Sequence, residues 1–339
     1  MSGFEPPPSF LRLCTIDAHA AGEPLRVIVG GWPEPEGDTI LAKRHFAEVH
    51  QDHLRRALML EPRGHADMYG CLPVAPATPD GDLGVLFLHN QGFSTMCGHG
   101  IVGIVKVGLE CGLLPRKEEL FIDTPAGRVT ARAAFDGDRV VSVSFHNVPS
   151  FVLRRDAVVD VPGLGGVRCD LAFGGAFYAY VEAADLDLAL EPRHYARIVE
   201  VGMRVKRAAA EQLAIRHPNG QRELDFLYGT ILVGPSPAEG VHSRNACVFA
   251  EGEVDRSPTG TGVSGRVALH HARGELALGD WITIESLIGT RFDARVARRT
   301  TSGAFDAVVP EVRGSAHLTG RHEFWVDPED PLRAGVLLR

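Results

Sequence analysis

What is scarce in this chain narrows its function first. Only four lysines occur, at 43, 106, 117 and 206, and no basic run is interleaved with aromatic residues. At a net charge of −8 the electrostatic footprint of a nucleic-acid binder is missing, so no nucleic-acid partner is expected. No apolar stretch approaches the roughly 20 residues that span a bilayer. Met1-Ser-Gly-Phe-Glu-Pro-Pro-Pro8 has neither the basic start nor the apolar core of a signal peptide. A cytoplasmic protein without a membrane partner is the expectation. The six cysteines (14, 71, 97, 111, 169 and 247) are dispersed with no C-x-x-C pair, which predicts free thiols, most of them buried and inert. Histidine is plentiful, yet no H-E-x-x-H or similar ligand spacing occurs, so no metal is expected. The adjacent His270 and His271 are expected at solvent or an interface. Lys106 falls inside an apolar helical pattern and the other lysines on segments expected to be exposed, so no lysine suited to pyridoxal phosphate stands out. No cofactor is expected.

What the sequence does have is itself, twice. At a constant offset of 162, Gly98, Gly100, Gly103, Val105 and Gly112 fall on Gly260, Gly262, Gly265, Val267 and Gly274. Further on, Ile122, Asp123 and Gly127 fall on Ile284, Glu285 and Gly289. Asp17 to Gly22 with the strand Leu25 to Val29 loosely matches Asp170 to Gly175 with Tyr178 to Val181. A period this long means duplication and fusion, not a solenoid of short units. The 339 residues agree with roughly two domains of about 150 residues each.

The two copies read alike. Arg44 to Leu60 has the apolar spacing of an outer helix, Val85 to Leu88 reads as a strand, Asn90 to Thr95 as a loop, and Gly98 to Gly112 as a helix apolar on nearly every side, hence a core helix. Short strands follow at 122–124, 128–132 and 139–145. The second copy offers an outer helix over 192–215, strands over 225–233 and 246–251, a core helix over 262–274, and strands over 282–286 and 291–297. Thr319 to Asp327 reads as a strand that crosses back to the first domain. The expected domains are therefore 1–149 plus about 320–339, and 150–319, with an active site in the cleft where the two helix starts face each other.

Both starts also read G-x-G-x-x-G, but a dinucleotide fingerprint needs the glycines directly after a parallel strand in a βαβ unit. Here a loop separates Leu88 from Gly98, so a dinucleotide-dependent enzyme is disfavoured. The physics of the motif remains: amides at a glycine-rich helix start can hold an anion, and two facing starts suit a small carboxylate. Cys97 stands at the first start, where the helix dipole and free amides are expected to lower its pKa and favour a thiolate able to take an α-proton. Thr259 stands at the second, a favoured N-cap residue and far too weak an acid to replace a thiol. This chain has kept one base where a symmetric enzyme would hold two.

The segments Thr15 to Pro24, Glu61 to Gly70, His89 to Gly100, Asp225 to Thr230 and Asp255 to Gly262 resemble the proline racemase family, and the resemblance runs from about Leu11 to the C-terminus. It implies a diaminopimelate-epimerase-like α/β (α+β) fold. Two pseudo-symmetric domains, each of mainly antiparallel strands wrapped around a central helix, would work without cofactor or metal, often as a homodimer. Family racemases carry cysteine at both positions matching 97 and 259; the cysteine/threonine combination resembles the trans-3-hydroxy-L-proline dehydratases. Ala20 departs from the threonine more usual in the H-T-x-G-E-P motif. By this resemblance Cys97 is the proton acceptor and Thr259 a second-base position without a thiol. The amides of Gly98, His99, Gly260 and Thr261 would hold the substrate carboxylate, and Asp255 would accept from the ring ammonium. His19, His65 and Asp67 are weaker candidates for the pocket. The implied reaction is dehydration of trans-3-hydroxy-L-proline to 1-pyrroline-2-carboxylate. The alternatives are a proline or 4-hydroxyproline racemase or epimerase of the same family and a non-enzymatic binder of cyclic amino acids.

Overall fold

The computed structural model describes residues 5–338. Its first half runs β1 (Leu11–Ala20), β2 (Glu23–Gly30), α1 (Ile40–His50), α2 (Asp52–Met59), β3 (Tyr69–Val74), β4 (Leu83–His89), β5 (Gly92–Ser94), α3 (Gly98–Glu110), β6 (Glu119–Thr124), β7 (Gly127–Asp136) and β8 (Arg139–His146). The second runs β9 (Ser150–Val161), β10 (Gly165–Phe173), β11 (Phe177–Glu182), α4 (Tyr195–Gln212), β12 (Leu227–Gly234), β13 (Ser243–Phe249), β14 (Glu253–Val254), α5 (Gly260–Ala272), β15 (Trp281–Glu285), β16 (Arg291–Ser302), β17 (Phe305–Gly314) and β18 (Ala316–Val326). This is the strand-rich α/β arrangement expected from the sequence. The pairings repeat with the elements: β2 with β3 and β11 with β12 are parallel, as are β4 with β6 and β13 with β15. The intervening hairpins are antiparallel, β3 with β4 and β12 with β13 among them. β17 joins the halves by pairing with β8 and β9, and β18 returns to pair with β1.

The two central helices are buried because their sequences leave no polar stripe. In α3, Ile101, Val102, Ile104, Val105 and Val107 point outward in all directions, each at most 1% exposed, and each contributes about 1.5–3 kcal/mol of burial free energy. The cationic end of Lys106 is met by Glu110 Oε1 and the carbonyl of Val140, both at 2.7 Å. Helix α5 is buried from Gly260 to His270. His270 therefore is not the solvent or interface residue its sequence context suggests: its ring lies 2.6 Å from Glu275 Oε2 and 3.0 Å from the Arg266 guanidinium.

The outer layer departs from the sequence reading in two places. The single helix expected over 44–60 is broken at Gln51, whose side chain accepts from Trp32 Nε1 at 2.8 Å and donates to the Pro33 carbonyl at 3.1 Å. A glutamine anchored to a preceding loop cannot also follow the helical path. The loop expected over 90–95 contains β5, which folds back on β4 through pairs such as Leu88 with Phe93.

The helix starts meet backbone to backbone. A β-carbon on Gly98 would lie 2.5 Å from the Gly260 Cα, and one on Gly260 would lie 2.6 Å from the Gly98 Cα. Steric room, not a left-handed backbone, makes glycine necessary at both positions. Gly98→Ala is expected to destabilise the fold by about 1–3 kcal/mol through overpacking, read as a lowered urea midpoint, whereas Gly112→Ala meets no atom within 4 Å and carries only the strain of its φ of +75°.

Candidate active site

Each helix start is delivered by the same device, a tight hairpin and a short loop: β4–β5 ahead of α3, β13–β14 ahead of α5. The residues that cap the two helices nonetheless differ. Cys97 is extended (φ −145°, ψ 114°) and its sulfur accepts from the Gly100 amide at 3.2 Å. Thr259 occupies the N-cap position but has φ +68°, and its hydroxyl does not cap the helix. That hydroxyl is buried with no partner in hydrogen-bond geometry, although it lies close enough to Asp255 and Cys247 to offset part of the pKa rise that burial gives both. As opening residues of their helices, Gly98, His99, Gly260 and Thr261 carry amides that no helical carbonyl can satisfy.

Cys97, Gly98, His99, Asp255, Thr259, Gly260 and Thr261 all line one small cavity between the halves. The fold thus brings together the seven residues that the sequence reading assigned to the site. The cavity also has an aromatic wall that it did not single out: Tyr69, Tyr178, Tyr228 and Phe249, with Met96 and Cys247. Tyr228 stacks on Phe249 at 5.3 Å between ring centroids, and Tyr178 shares a hydrogen bond of 2.7 Å with the Thr261 hydroxyl. Tyr69 and Tyr228 stand in two of the motif segments that carry the family resemblance, which is the signal that could have found them.

Three weaker candidates separate from this group. His19 accepts from the Gly22 amide at 3.2 Å and packs against His317, a role in the β1–β2 turn. His65 is exposed, its ring 2.7 Å from the Ala66 carbonyl. Asp67 is buried, and at 3.2 Å it accepts from the hydroxyl of Tyr195 in the other half. All three lie outside the cavity lining. The loop between α2 and β3 is pinned by Asn90, which donates to the carbonyls of Met59 and His65 at 2.6 and 3.0 Å and accepts from the Asp67 amide at 2.7 Å. Asn90 thereby fixes where Tyr69 enters the cavity.

The electrostatics correct one expectation. Burial pushes the Cys97 thiol well above its ordinary pKa, the neighbouring Asp255 and Glu23 act in the same direction, and the Gly100 amide does not outweigh them. The helix start favours the thiolate, but desolvation in a closed cavity wins. His99, with Nδ1 3.1 Å from the sulfur, is pushed down to about 3 by burial and stays neutral. Asp255 is raised to about 6, again mainly by burial, despite a hydrogen bond from the Ser257 amide at 2.7 Å. Glu23, fully buried, is raised well above its ordinary value by burial and by Asp255. Two desolvated carboxyls thus stand beside a neutral thiol and a neutral imidazole.

Arg256 stands next to this pair of carboxyls. Its amide donates to Glu23 Oε2 at 2.7 Å, and its guanidinium lies 3.7 Å from Glu23 and 3.9 Å from Asp67. Thr290 adds a bond to the Ala21 carbonyl at 2.6 Å. These contacts, with Tyr195 to Asp67, tie the β1–β2 turn and the 61–68 loop of one half to the other half.

The proline racemase model matches residues 15–337. The chain belongs to the proline racemase family. A protein of Colwellia psychrerythraea named trans-3-hydroxy-L-proline dehydratase is 46% identical over 98% of this chain and 94% of its own length. One of Burkholderia multivorans named 3-hydroxyproline 2-epimerase is 44% identical over 96% of this chain and 98% of its own. Among solved structures, a hydroxyproline epimerase of Agrobacterium vitis with bound trans-4-hydroxy-L-proline superposes with a TM-score of 0.91 at 31% identity, covering 97% of this chain and 96% of that one. A phenazine biosynthesis protein of the PhzF family from Bacillus anthracis, 13% identical with a TM-score of 0.58, shares the fold alone.

Because Arg256 ties Glu23 and Asp67 of one half to the other half beside buried Cys97, Arg256→Ala is expected to loosen that junction and speed iodoacetamide labelling of Cys97 at least several-fold. Peptide mass mapping would read the change against exposed Cys111, whose rate should not change.

Proposed function

We propose that this protein dehydrates trans-3-hydroxy-L-proline to 1-pyrroline-2-carboxylate, with Cys97 taking the α-proton. The observation that carries the reading is the unlike pair at the two helix starts, a cysteine that caps α3 and a threonine at the start of α5, both lining one cavity. The names of relatives at 44–46% identity support the substrate. In trans-3-hydroxy-L-proline the hydroxyl and the α-hydrogen share a ring face, so chemistry confined to that face can remove both. Racemisation requires a proton delivered to the opposite face, where an unactivated threonine hydroxyl is a poor acid.

The cavity residues divide the substrate among them. The amides of Gly98, His99, Gly260 and Thr261 would receive the carboxylate and donate more strongly as charge builds on it, which is electrostatic stabilisation aimed at the transition state. Asp255, with Glu23 behind it, would accept from the ring ammonium. That cation lowers the cost of a buried anion beside it, so substrate entry itself would help Cys97 reach the thiolate. The same reading groups 1–149 with about 320–339 as one domain and 150–319 as the other, and takes the assembly to be a homodimer. An epimerase is the second reading, favoured by the name of the Burkholderia multivorans relative.

Proton NMR in deuterated water, with no added cofactor, is expected to show trans-3-hydroxy-L-proline converted to 1-pyrroline-2-carboxylate and no inversion of trans-4-hydroxy-L-proline. Inversion without water loss would favour the epimerase. Cys97→Ser is expected to lose dehydration by at least about 100-fold, the scale of a missing general base; near-native turnover by that variant would rule out the thiol as base. Asp255 must be anionic to accept from the ammonium, and its pKa in the free protein is raised to about 6. kcat/KM should therefore fall as pH drops through about 6, not through the ordinary carboxylate range, since this profile reports the free enzyme.

A further inference from the structure

The dehydration needs a proton for the departing hydroxyl, and a second group on the Cys97 side of the cavity is built to give it. Tyr69 comes from β3 in the same half as Cys97, is 3% exposed, and lines the cavity. Its ring meets the His99 ring edge-on at 4.6 Å. Its hydroxyl shares a bond of 2.5 Å with Ser94 Oγ and lies 3.5 Å from the Tyr228 hydroxyl. Ser94 is fully buried; with Ser94 donating, the phenol proton is free to point at a guest.

We infer that Tyr69 is the general acid that protonates the leaving 3-hydroxyl. The inference rests on the dehydratase reading above. In the step, the Cα–H bond breaks and its proton goes to the Cys97 sulfur. The released pair forms the Cα=Cβ bond, the Cβ–O bond breaks, and the Tyr69 proton joins the hydroxyl to leave as water. The phenolate then takes the proton from the Cys97 thiol, which restores thiolate and phenol together. Burial keeps Tyr69 protonated, raising it well above the ordinary tyrosine value, with the nearby Cys97 acting in the same direction. Conversely, the phenol beside the sulfur favours the thiolate. This division of labour gives each of the two proton transfers its own group, so one sulfur need not reach both Cα and the Cβ oxygen.

Tyr69→Phe removes the hydroxyl and leaves the ring packing. The test compares wild type and variant on trans-3-hydroxy-L-proline and on trans-3-fluoro-L-proline, whose fluoride leaves without needing a proton. Dehydration of the hydroxy compound is expected to fall by about 100-fold or more, while fluoride release, followed with an ion-selective electrode, stays within a few-fold of wild type. Equal loss on both substrates would make Tyr69 a structural residue and overturn the assignment, as would wild-type dehydration by the variant. A wild-type protein that leaves trans-3-hydroxy-L-proline intact would instead overturn the dehydratase reading, and this assignment with it.

Discussion

Two helices that start against each other with no side chain between them set the geometry of everything nearby. The contact of Gly98 with Gly260 brings two sets of free amides to one point, and the dipoles of α3 and α5 reinforce each other there. Such a junction repels itself electrostatically unless an anion occupies it. Apolar burial along both helices supplies the free energy that holds them in place. The same closeness limits the space in front of the junction to a cavity fit for a small molecule.

Around this symmetric junction the chain has broken its own symmetry. On one side a sulfur caps its helix; on the other a threonine with a left-handed backbone turns its hydroxyl away from the cap position. Desolvated carboxyls then make the empty site costly for a thiolate and favourable for a cation. Arg256, 3.7 Å from Glu23, is a cation that the protein itself brings to that pair. The scarcity of lysine fits this pattern, because the buried cationic positions that brace the site use the multidentate arginine fork. Arg26 holds Asp17 and the carbonyls of Leu58 and Arg63, and Arg55 holds Asp52 and the carbonyls of His89 and Asn90.

The duplicated core was legible because periodicity and glycine placement are local properties. Gly98 to Gly112 and its copy at Gly260 announced buried helices, and the motifs at Cys97 and Asp255 announced the cleft. What escaped were consequences of distant packing. Gln51 reads as an ordinary helix residue until Trp32 and Pro33 claim its side chain. Tyr178 and Tyr228 read as strand residues, and Tyr69 as part of a motif segment, until three separate strands bring them together. The direction of the Cys97 pKa was misjudged for the same reason: a helix start is visible in sequence, whereas the degree to which other elements seal it is not.

The pairing of β18 with β1 has a bearing on how the protein is made. Leu11 faces Val326 and Ala20 faces Ala316, so the first strand of the described residues is covered along one edge by the last of them. During synthesis the strands and helix that surround α5 can all emerge while β1 still waits with an open edge. The half written first is thus the half finished last, and its hydrogen-bonding edge must stay unclaimed by neighbours throughout translation of nearly the whole chain.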